Sequence, residues 1–158
     1  MHDEHFLRLA ISLARRARES GEEPFGAILV YDGKVVHEAH SRRNELSDPT
    51  AHAELNLIRE YCQSSGLLSL QGHTLYASTE PCPMCAGAIH WARISRVVFS
   101  VSQAMLQRIS GGRLKPPAEP IINCGHRRAE VVGPLLPEEG LAVFVGYVFA
   151  PKMEPDDR

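Results

Sequence analysis

The apolar residues of the chain recur with two different periods, one typical of amphipathic helices and the other of buried strands. Helical spacing is found in residues 6–17, in a segment that follows Asp48-Pro49-Thr50, in residues 84–91 and in residues 141–149. Gly21 ends the first of these segments, and Pro83 suits the first turn of the third. The pattern therefore predicts four helices, of which the last spans residues 141–149.

Short apolar runs lie between the helices and predict strands at residues 25–31, 35–36, 74–78, 97–101 and 130–132. Asp32-Gly33 separates the first two runs and favours a hairpin, because both turn positions need a positive φ. Residues 111–120 contain three prolines and two glycines and are expected to be irregular, with a further helix left open before the last strand. This order predicts one domain over residues 1–158, a three-layer α/β/α sandwich around a five-stranded sheet.

The composition is that of an ordinary globular domain with a slight acidic excess. Hydrophobic residues make up 44% and charged residues 23% of the chain, and 17 basic against 19 acidic residues give a formal net charge of −2. A protein that grips nucleic acid through many phosphates usually carries a basic excess. The balance therefore favours a small or neutral substrate.

The sequence shows neither a membrane segment nor an export signal. No run approaches the roughly 18 apolar residues that cross a bilayer, and residues 1–5 lack the cationic-then-apolar order of a signal peptide. A cytoplasmic location is expected, in which cysteines are more often metal ligands or reduced thiols than disulfides. Cys62 and Cys124 are interpreted as ordinary thiols, whereas Cys82 and Cys85 form a C-x-x-C pair.

Two short segments carry residue types suited to zinc chemistry. His52-Ala53-Glu54 opens one predicted helix, and Cys82 and Cys85 lie where a strand gives way to another. A catalytic zinc ion takes three protein ligands and keeps one position for water, whose pKa it lowers from 15.7 to about 7. His52, Cys82 and Cys85 supply these ligands for one Zn²⁺ per chain. Glu54 is the catalytic candidate, a proton shuttle between the water and a leaving amine.

Three other interpretations account for parts of this pattern. The C-x-x-C pair alone fits a thioredoxin-type redox site, and the H-x-E alone fits chance. A structural zinc site needs a fourth Cys or His and leaves Glu54 without a task. The two segments together match the H-x-E and P-C-x-x-C signature of zinc nucleobase deaminases, which favours the hydrolytic site.

These motifs resemble those of the cytidine and deoxycytidylate deaminase superfamily, in the branch that holds guanine deaminases, cytosine deaminases and tRNA adenosine deaminases. The resemblance runs from about residue 5 to residue 101. It implies a cytidine-deaminase-like sandwich with a mixed sheet, a homodimer, zinc bound by His52, Cys82 and Cys85, and Glu54 as the proton shuttle. The matching segments are Pro24-Phe25-Gly26-Ala27, residues 48–54, Leu75-Tyr76 and residues 79–89.

The resemblance also indicates where a substrate base would lie. The backbone at Ala53, Glu80 and Cys82 would line its reacting edge. In this branch the residue eleven positions before the metal-binding His is commonly an Asn that contacts the base. In this chain that position is Ser41, and Asn44 could take the role of the missing Asn only if its loop is rearranged.

Two aromatic residues are further candidates for contact with the base. Trp91, in a His-Trp-Ala-Arg run typical of guanine deaminases, is expected to stack on a planar base, and Phe25 to flank it. Both residues also fit an apolar core. The acidic, aromatic segment that guanine deaminases place over the pocket is not recognisable after Val101.

The sequence thus predicts a zinc-dependent hydrolytic deaminase of a free nucleobase, nucleoside or related small heterocycle. Deamination of adenosine in tRNA is the alternative within the enzyme class, and Arg42-Arg43 and Arg127-Arg128 are its candidate phosphate contacts. A zinc-binding protein of the same fold without turnover is the alternative outside it. Glu54 argues against this last alternative, because a structural site has no use for a shuttle.

Overall fold

The computed structural model describes residues 2–150, in which helices cover both faces of one five-stranded sheet. None of the helices in this range combines the length and the apolar character needed to span a membrane. In chain order the elements are α1 (His2–Glu19), β1 (Gly26–Tyr31), β2 (Lys34–His40), α2 (Arg43–Leu46), α3 (Ala53–Ser65), β3 (Thr74–Thr79), α4 (Pro83–Ala92), β4 (Arg96–Val101), α5 (Gln103–Ser110), α6 (Ala118–Ile122), β5 (Glu130–Val132) and α7 (Pro137–Ala142).

The sheet is mixed, as the resemblance implied. Its strand order is β2-β1-β3-β4-β5. β1 runs antiparallel to β2 and β3, whereas β3, β4 and β5 are parallel to one another. The predicted hairpin is confirmed, with Asp32 and Gly33 at φ values of 49° and 70°. The three-layer α/β/α prediction is therefore correct.

Alternate residues of the central strands face two separate cores. In β1, Ala27 and Leu29 pack into the core under α3 and α4, and Ile28 and Val30 pack into the core under α1. This explains why the strand is apolar without a break: helices cover both of its faces. The α3–α4 side is the one that carries the predicted zinc ligands.

The segment between β4 and β5 contains two helices where the sequence left one open. The Ser102 hydroxyl caps α5 by accepting a hydrogen bond from the Met105 N–H at 3.1 Å. Such a cap satisfies one of the N–H groups left free at the start of a helix. α6 begins at Ala118, inside the stretch that was expected to be irregular, so only residues 111–117 of it lack regular structure.

The predicted helix at residues 141–149 is wrong. α7 ends at Ala142, and Gly146 has a φ of 70°, in the left-handed region that an α-helix excludes. Arg18 donates hydrogen bonds to the carbonyl oxygens of Val143 and Val145, at 2.8 and 2.6 Å. Backbone acceptors that would have served a helix are thus satisfied by a side chain of α1.

Gly26 sets the distance between β1 and α1. A Cβ atom at this residue would lie 2.5 Å from the Ala10 carbonyl oxygen and 2.6 Å from the Ala14 nitrogen, both in the backbone of α1. Backbone atoms cannot turn aside as a flexible side chain does. The close packing of strand and helix therefore requires a residue without a side chain.

We expect Gly26→Ala to destabilise the fold by about 1–3 kcal/mol or more, because the added methyl group overpacks a rigid contact. Gly87→Ala in α4 is the matched control. No atom lies within 4 Å of its added Cβ, and Ala favours a helix over Gly by about 1 kcal/mol. Urea unfolding of both variants measures the difference, and equal stability of the two would contradict this account of Gly26.

Candidate metal centre and cavity

His52 and Cys82 each lie immediately before a helix. Both have extended backbone, with ψ values of 156° before α3 and 169° before α4. Pro83 opens α4, where its missing N–H costs nothing, and the first turn then carries Cys85. The positive N-terminal ends of both helices meet at this point, which favours negatively charged sulfur.

The predicted ligands converge to a geometry that fits one zinc ion. Ligand atoms of His52, Cys82 and Cys85 all lie within 4.8 Å of one another, and His52 Nδ1 is 3.5 Å from Cys82 Sγ. Zn–N and Zn–S bonds of about 2.0 and 2.3 Å at a tetrahedral angle separate the two atoms by roughly 3.5 Å. The donor set and its spacing are thus those of a three-ligand zinc site.

The two sulfurs differ in their electrostatic environment. Hydrogen bonding from Cys85, with a further contribution from His52, lowers the pKa of the Cys82 thiol to about 4. The same interaction with Cys82, together with burial, raises the pKa of Cys85. Cys82 is therefore a thiolate at neutral pH, and metal binding at Cys85 is coupled to the release of a proton.

Glu54 lies beside the cluster in the first turn of α3. The residue is only 6% exposed, and burial raises the pKa of its carboxyl group to about 7. A carboxyl group with a pKa near the working pH is well suited to accept a proton and to return it. This is the property that the predicted proton shuttle needs.

A cavity of about 320 Å³ opens over His52, Glu54 and Cys82. Four parts of the chain complete its wall: the approach to β1, the segment from α2 to α3, the end of β3, and the segment after β4. The residues that these parts contribute are Glu23, Phe25, Arg43, Pro49, Thr79, Glu80, Gln103, Leu106 and Lys115. The volume is at the small end of the range typical of small-molecule sites, about 300–1,000 Å³.

Phe25 lies where the sequence placed it, in the cavity wall, but Ser41 does not. Ser41 is 1% exposed and does not line the cavity. Its N–H donates to the Phe25 carbonyl oxygen at 3.0 Å. Asn44 does not replace it, since its side-chain amide donates to the Gly21 carbonyl oxygen at 2.8 Å. A base contact by Ser41 would need a different backbone position, so this prediction is corrected.

Trp91 is also outside the cavity. It is 81% exposed and lines a separate surface depression with His126 and Arg127. Trp91 lies six positions after Cys85 in the same helix. Six helical steps place it about 240° around the axis and about 9 Å along it. The prediction that Trp91 stacks on a base in this cavity is therefore corrected.

Glu80 lines the cavity, but its backbone is already engaged. Its N–H donates to the Val101 carbonyl oxygen at 2.7 Å, and its carbonyl oxygen accepts from Gln103 Nε2 at 2.6 Å. These bonds give the backbone a structural role, and because a carbonyl oxygen has two lone pairs, its predicted contact with the edge of the base stays a prediction. Ala53 is fully buried in the core under α3, and a base contact by the backbone of Ala53 or Cys82 remains a prediction.

Sequence reasoning missed most of the remaining wall. Thr79 is the first residue of the motif that runs to Cys85, so its position beside the metal ligands was open to inference. Gln103 and Leu106 belong to α5, in the segment where the sequence left one helix open, and Lys115 lies in the irregular stretch after it. No periodicity or motif marks these three residues.

Residues 1–101 match the family model described as the cytidine and deoxycytidylate deaminase zinc-binding region. The chain belongs to this deaminase family, which confirms the resemblance drawn from the motifs. His52, Cys82 and Cys85 fit the single zinc site that the family description implies.

Relatives within the family carry three different substrate names. The chain is 46% identical over 100 residues to a tRNA-specific adenosine deaminase of Aquifex aeolicus. This match covers 63% of this chain and 66% of the relative, so the chain spans a little under two thirds of the length of that relative. It is 34% identical over 152 residues to a probable cytosine deaminase of Schizosaccharomyces pombe, covering 90% of both chains. The structure of guanine deaminase from Bacillus subtilis is 34% identical, with a TM-score of 0.65 over 96% of this chain and 97% of that one.

Cys85→Ala leaves two of the three protein ligands, so we expect zinc occupancy to fall well below one ion per chain. Thermal stability should fall with it, because metal binding is coupled to folding. Cys124→Ala removes an exposed thiol outside the cluster and serves as the control that keeps its zinc. Elemental analysis of the purified proteins gives the result, and full occupancy in Cys85→Ala would refute the ligand assignment.

Glu54→Gln keeps the shape of the side chain but removes the proton acceptor. We expect this variant to retain zinc and to lose turnover by at least about 10²–10⁴-fold, the usual contribution of general acid–base catalysis. Zinc content and ammonia release are measured on the same preparation. Loss of the metal would show instead that Glu54 is a ligand.

Proposed function

We propose that this protein is a hydrolytic deaminase of a free nucleobase or a related small heterocycle. In the overall reaction water replaces the amino group on a ring carbon, and the amine leaves as ammonia. Zinc, when bound, supplies a water molecule of lowered pKa and polarises the reacting centre. His52, Cys82 and Cys85 hold the ion, and the cavity above them holds the ring.

Glu54 carries the proton in this proposal. Its carboxylate takes a proton from the attacking water and delivers it to the amine, so one group acts first as base and then as acid. Burial at the base of the cavity leaves the carboxyl group poorly solvated, which keeps its two protonation states close in free energy.

The observation that carries the choice of a free base is the pairing of the arginines near the cavity. Arg43 forms an ion pair with Glu23 at 2.6 Å. Arg42 is paired with Glu45 at 2.7 Å and lies 3.6 Å from Glu60. Phosphate binding depends on cations that are free to neutralise it. These two arginines are largely neutralised within the protein itself, and the exposed Lys115 is then the one cation of the cavity wall that forms no ion pair with a described residue.

An aromatic segment near the C-terminus supports the same choice. Phe144 packs edge-to-face against Phe25 in the cavity wall, with 5.7 Å between ring centroids. Tyr147 and Phe149 pack on Phe144 in turn. Phe25 is the member of this aromatic group that lines the cavity, and residues 144–149 pack behind it. An aromatic side chain in the wall suits a planar ring better than a phosphate backbone.

Deamination of adenosine in tRNA is the second candidate, and the similarity to the Aquifex aeolicus protein favours it. The other basic pair is Arg127-Arg128. Arg127 donates a hydrogen bond to the Ile94 carbonyl oxygen, so its guanidinium group is already engaged within the protein, which argues against a phosphate contact. Arg128 is exposed and also bonds to backbone carbonyl oxygens. The homodimer implied by the family stays a prediction.

The test is ammonia release from guanine, cytosine, isocytosine, adenosine and a tRNA, each at low and moderate salt. We expect turnover of a free base with a KM that changes less than about twofold, since a neutral base releases few counterions. A tRNA substrate would instead lose affinity by about 10³–10⁵-fold between 50 and 200 mM salt if 6–10 phosphates are contacted. Inosine formation in tRNA without activity on any free base would overturn the proposal.

A further inference from the structure

Thr79 places a buried hydroxyl group in the cavity without a partner. It is the last residue of β3, 3% exposed, and it faces the same side of the sheet as Leu75 and Ala77. The residue lines the cavity together with His52 and Glu54. Its Oγ1 atom makes no hydrogen bond to any described residue.

Such an atom is costly unless something else satisfies it. A buried polar group without a hydrogen bond destabilises a protein by roughly 1–3 kcal/mol, and valine would serve a buried strand equally well. Thr79 lines the cavity, so a molecule bound there lies beside this residue, and a change of its χ1 rotamer would turn the hydroxyl group toward that molecule. The neighbouring Ser78, by contrast, accepts a hydrogen bond from the Gly26 N–H at 3.0 Å.

The unsatisfied polar groups of the cavity are mainly donors. Within residues 2–150 five buried side-chain polar atoms lack a partner, and two of them, Thr79 Oγ1 and Arg43 Nε, belong to the cavity wall. Lys115 adds an ammonium group that forms no ion pair with a described residue. A guanidinium Nε–H and an ammonium group can only donate, and a hydroxyl group can donate as well.

The acceptors of the wall, apart from Glu54, are largely occupied. Both carboxylate oxygens of Glu80 accept backbone N–H groups, from Gln103 and Ala118, at 2.8 Å each. Glu23 accepts from Arg43 at 2.6 Å. A ligand that complements this wall must therefore bring acceptors, which on a nucleobase are ring nitrogens and carbonyl oxygens, and a carbonyl oxygen offers two lone pairs to neighbouring donors.

We propose that Thr79 is a specificity-determining residue, which donates a hydrogen bond to a carbonyl oxygen of the substrate and makes the cavity select oxo-substituted bases. Guanine carries such an oxygen at C6 and cytosine at C2, in each case one ring nitrogen away from the carbon that bears the amino group, whereas the adenine ring has none. The inference rests on the proposed function and narrows it. A site with a buried donor rejects an analogue that leaves the donor unpaired.

The test compares each oxo base with an analogue that lacks the carbonyl oxygen and, with it, the hydrogen on the neighbouring ring nitrogen. Guanine is paired with 2-aminopurine, which lacks the oxygen at C6, and cytosine with 4-aminopyrimidine, which lacks the oxygen at C2. For each pair kcat/KM is measured with the wild-type protein, Thr79→Val and Thr79→Ser. Intrinsic differences in ring reactivity cancel when the variants are compared on the same pair.

We expect Thr79→Val to lower kcat/KM for the preferred oxo base by roughly five- to a hundredfold, the range for leaving one polar group unpaired. The change for the matching base without the oxygen should be less than about threefold. Thr79→Ser keeps the hydroxyl group and should restore most of the loss. Thr79→Val should retain its zinc and unfold at a temperature no lower than that of the wild type, because it loses only an unpaired buried hydroxyl group.

Two results would overturn the inference while leaving the proposed function intact. One is an equal loss on both members of a pair, and the other is no loss at all in Thr79→Val. If no free base is consumed, the proposed function fails. The inference is then decided by measuring the binding of guanine and of 2-aminopurine by equilibrium dialysis. The two proteins compared are zinc-loaded Glu54→Gln and the zinc-loaded double variant that also carries Thr79→Val. Binding that is absent, or that is unaffected by the hydroxyl group, refutes it.

Discussion

The convergence of two helix N-termini on one point is the constraint on which the site depends. His52 Nδ1 and Cys82 Sγ lie 3.5 Å apart although 30 residues separate them in sequence, so α3 and α4 must begin side by side. Small residues make this approach feasible: Ala53 and Ala86, in the first turns of these helices, are both fully buried. The helix dipoles and the free N–H groups at these ends stabilise thiolate ligands. Packing and metal chemistry thus impose the same arrangement.

Glu80 connects this arrangement to the segment after β4. Its carboxylate accepts the N–H groups of Gln103 and Ala118, at the starts of α5 and α6, and its backbone is bonded to Val101 and Gln103. One buried residue thus holds the starts of two helices and the end of β4. Because charge-assisted bonds to a buried carboxylate are the strong ones, Glu80 fixes the wall that α5 provides. Assembly of the cavity is thus a structural reason for its place in the motif.

The elements that sequence reasoning predicted are those with a strong period or strong punctuation. α1, the Asp32-Gly33 hairpin and α4 after Pro83 follow from residues whose local preference agrees with the fold. The helix expected at residues 141–149 fails because contacts from α1 and a left-handed Gly146 outweigh a helical apolar pattern. Trp91 shows a different limit. Trp91 is close to Cys85 in sequence, but the side of α4 on which its side chain lies depends on its angular position around the helix axis.

The family relationship itself explains why the metal motifs cannot identify the substrate. The match to the family covers residues 1–101, and the relatives of this chain are named for tRNA adenosine, guanine and cytosine. A zinc site of the same kind does not by itself distinguish one ring from another. Under the proposed function, the distinction would come from wall positions other than the ligands, such as Thr79, and from wall residues after 101, such as Gln103 and Lys115. These positions meet only through tertiary packing, so no local pattern in the sequence marks them together.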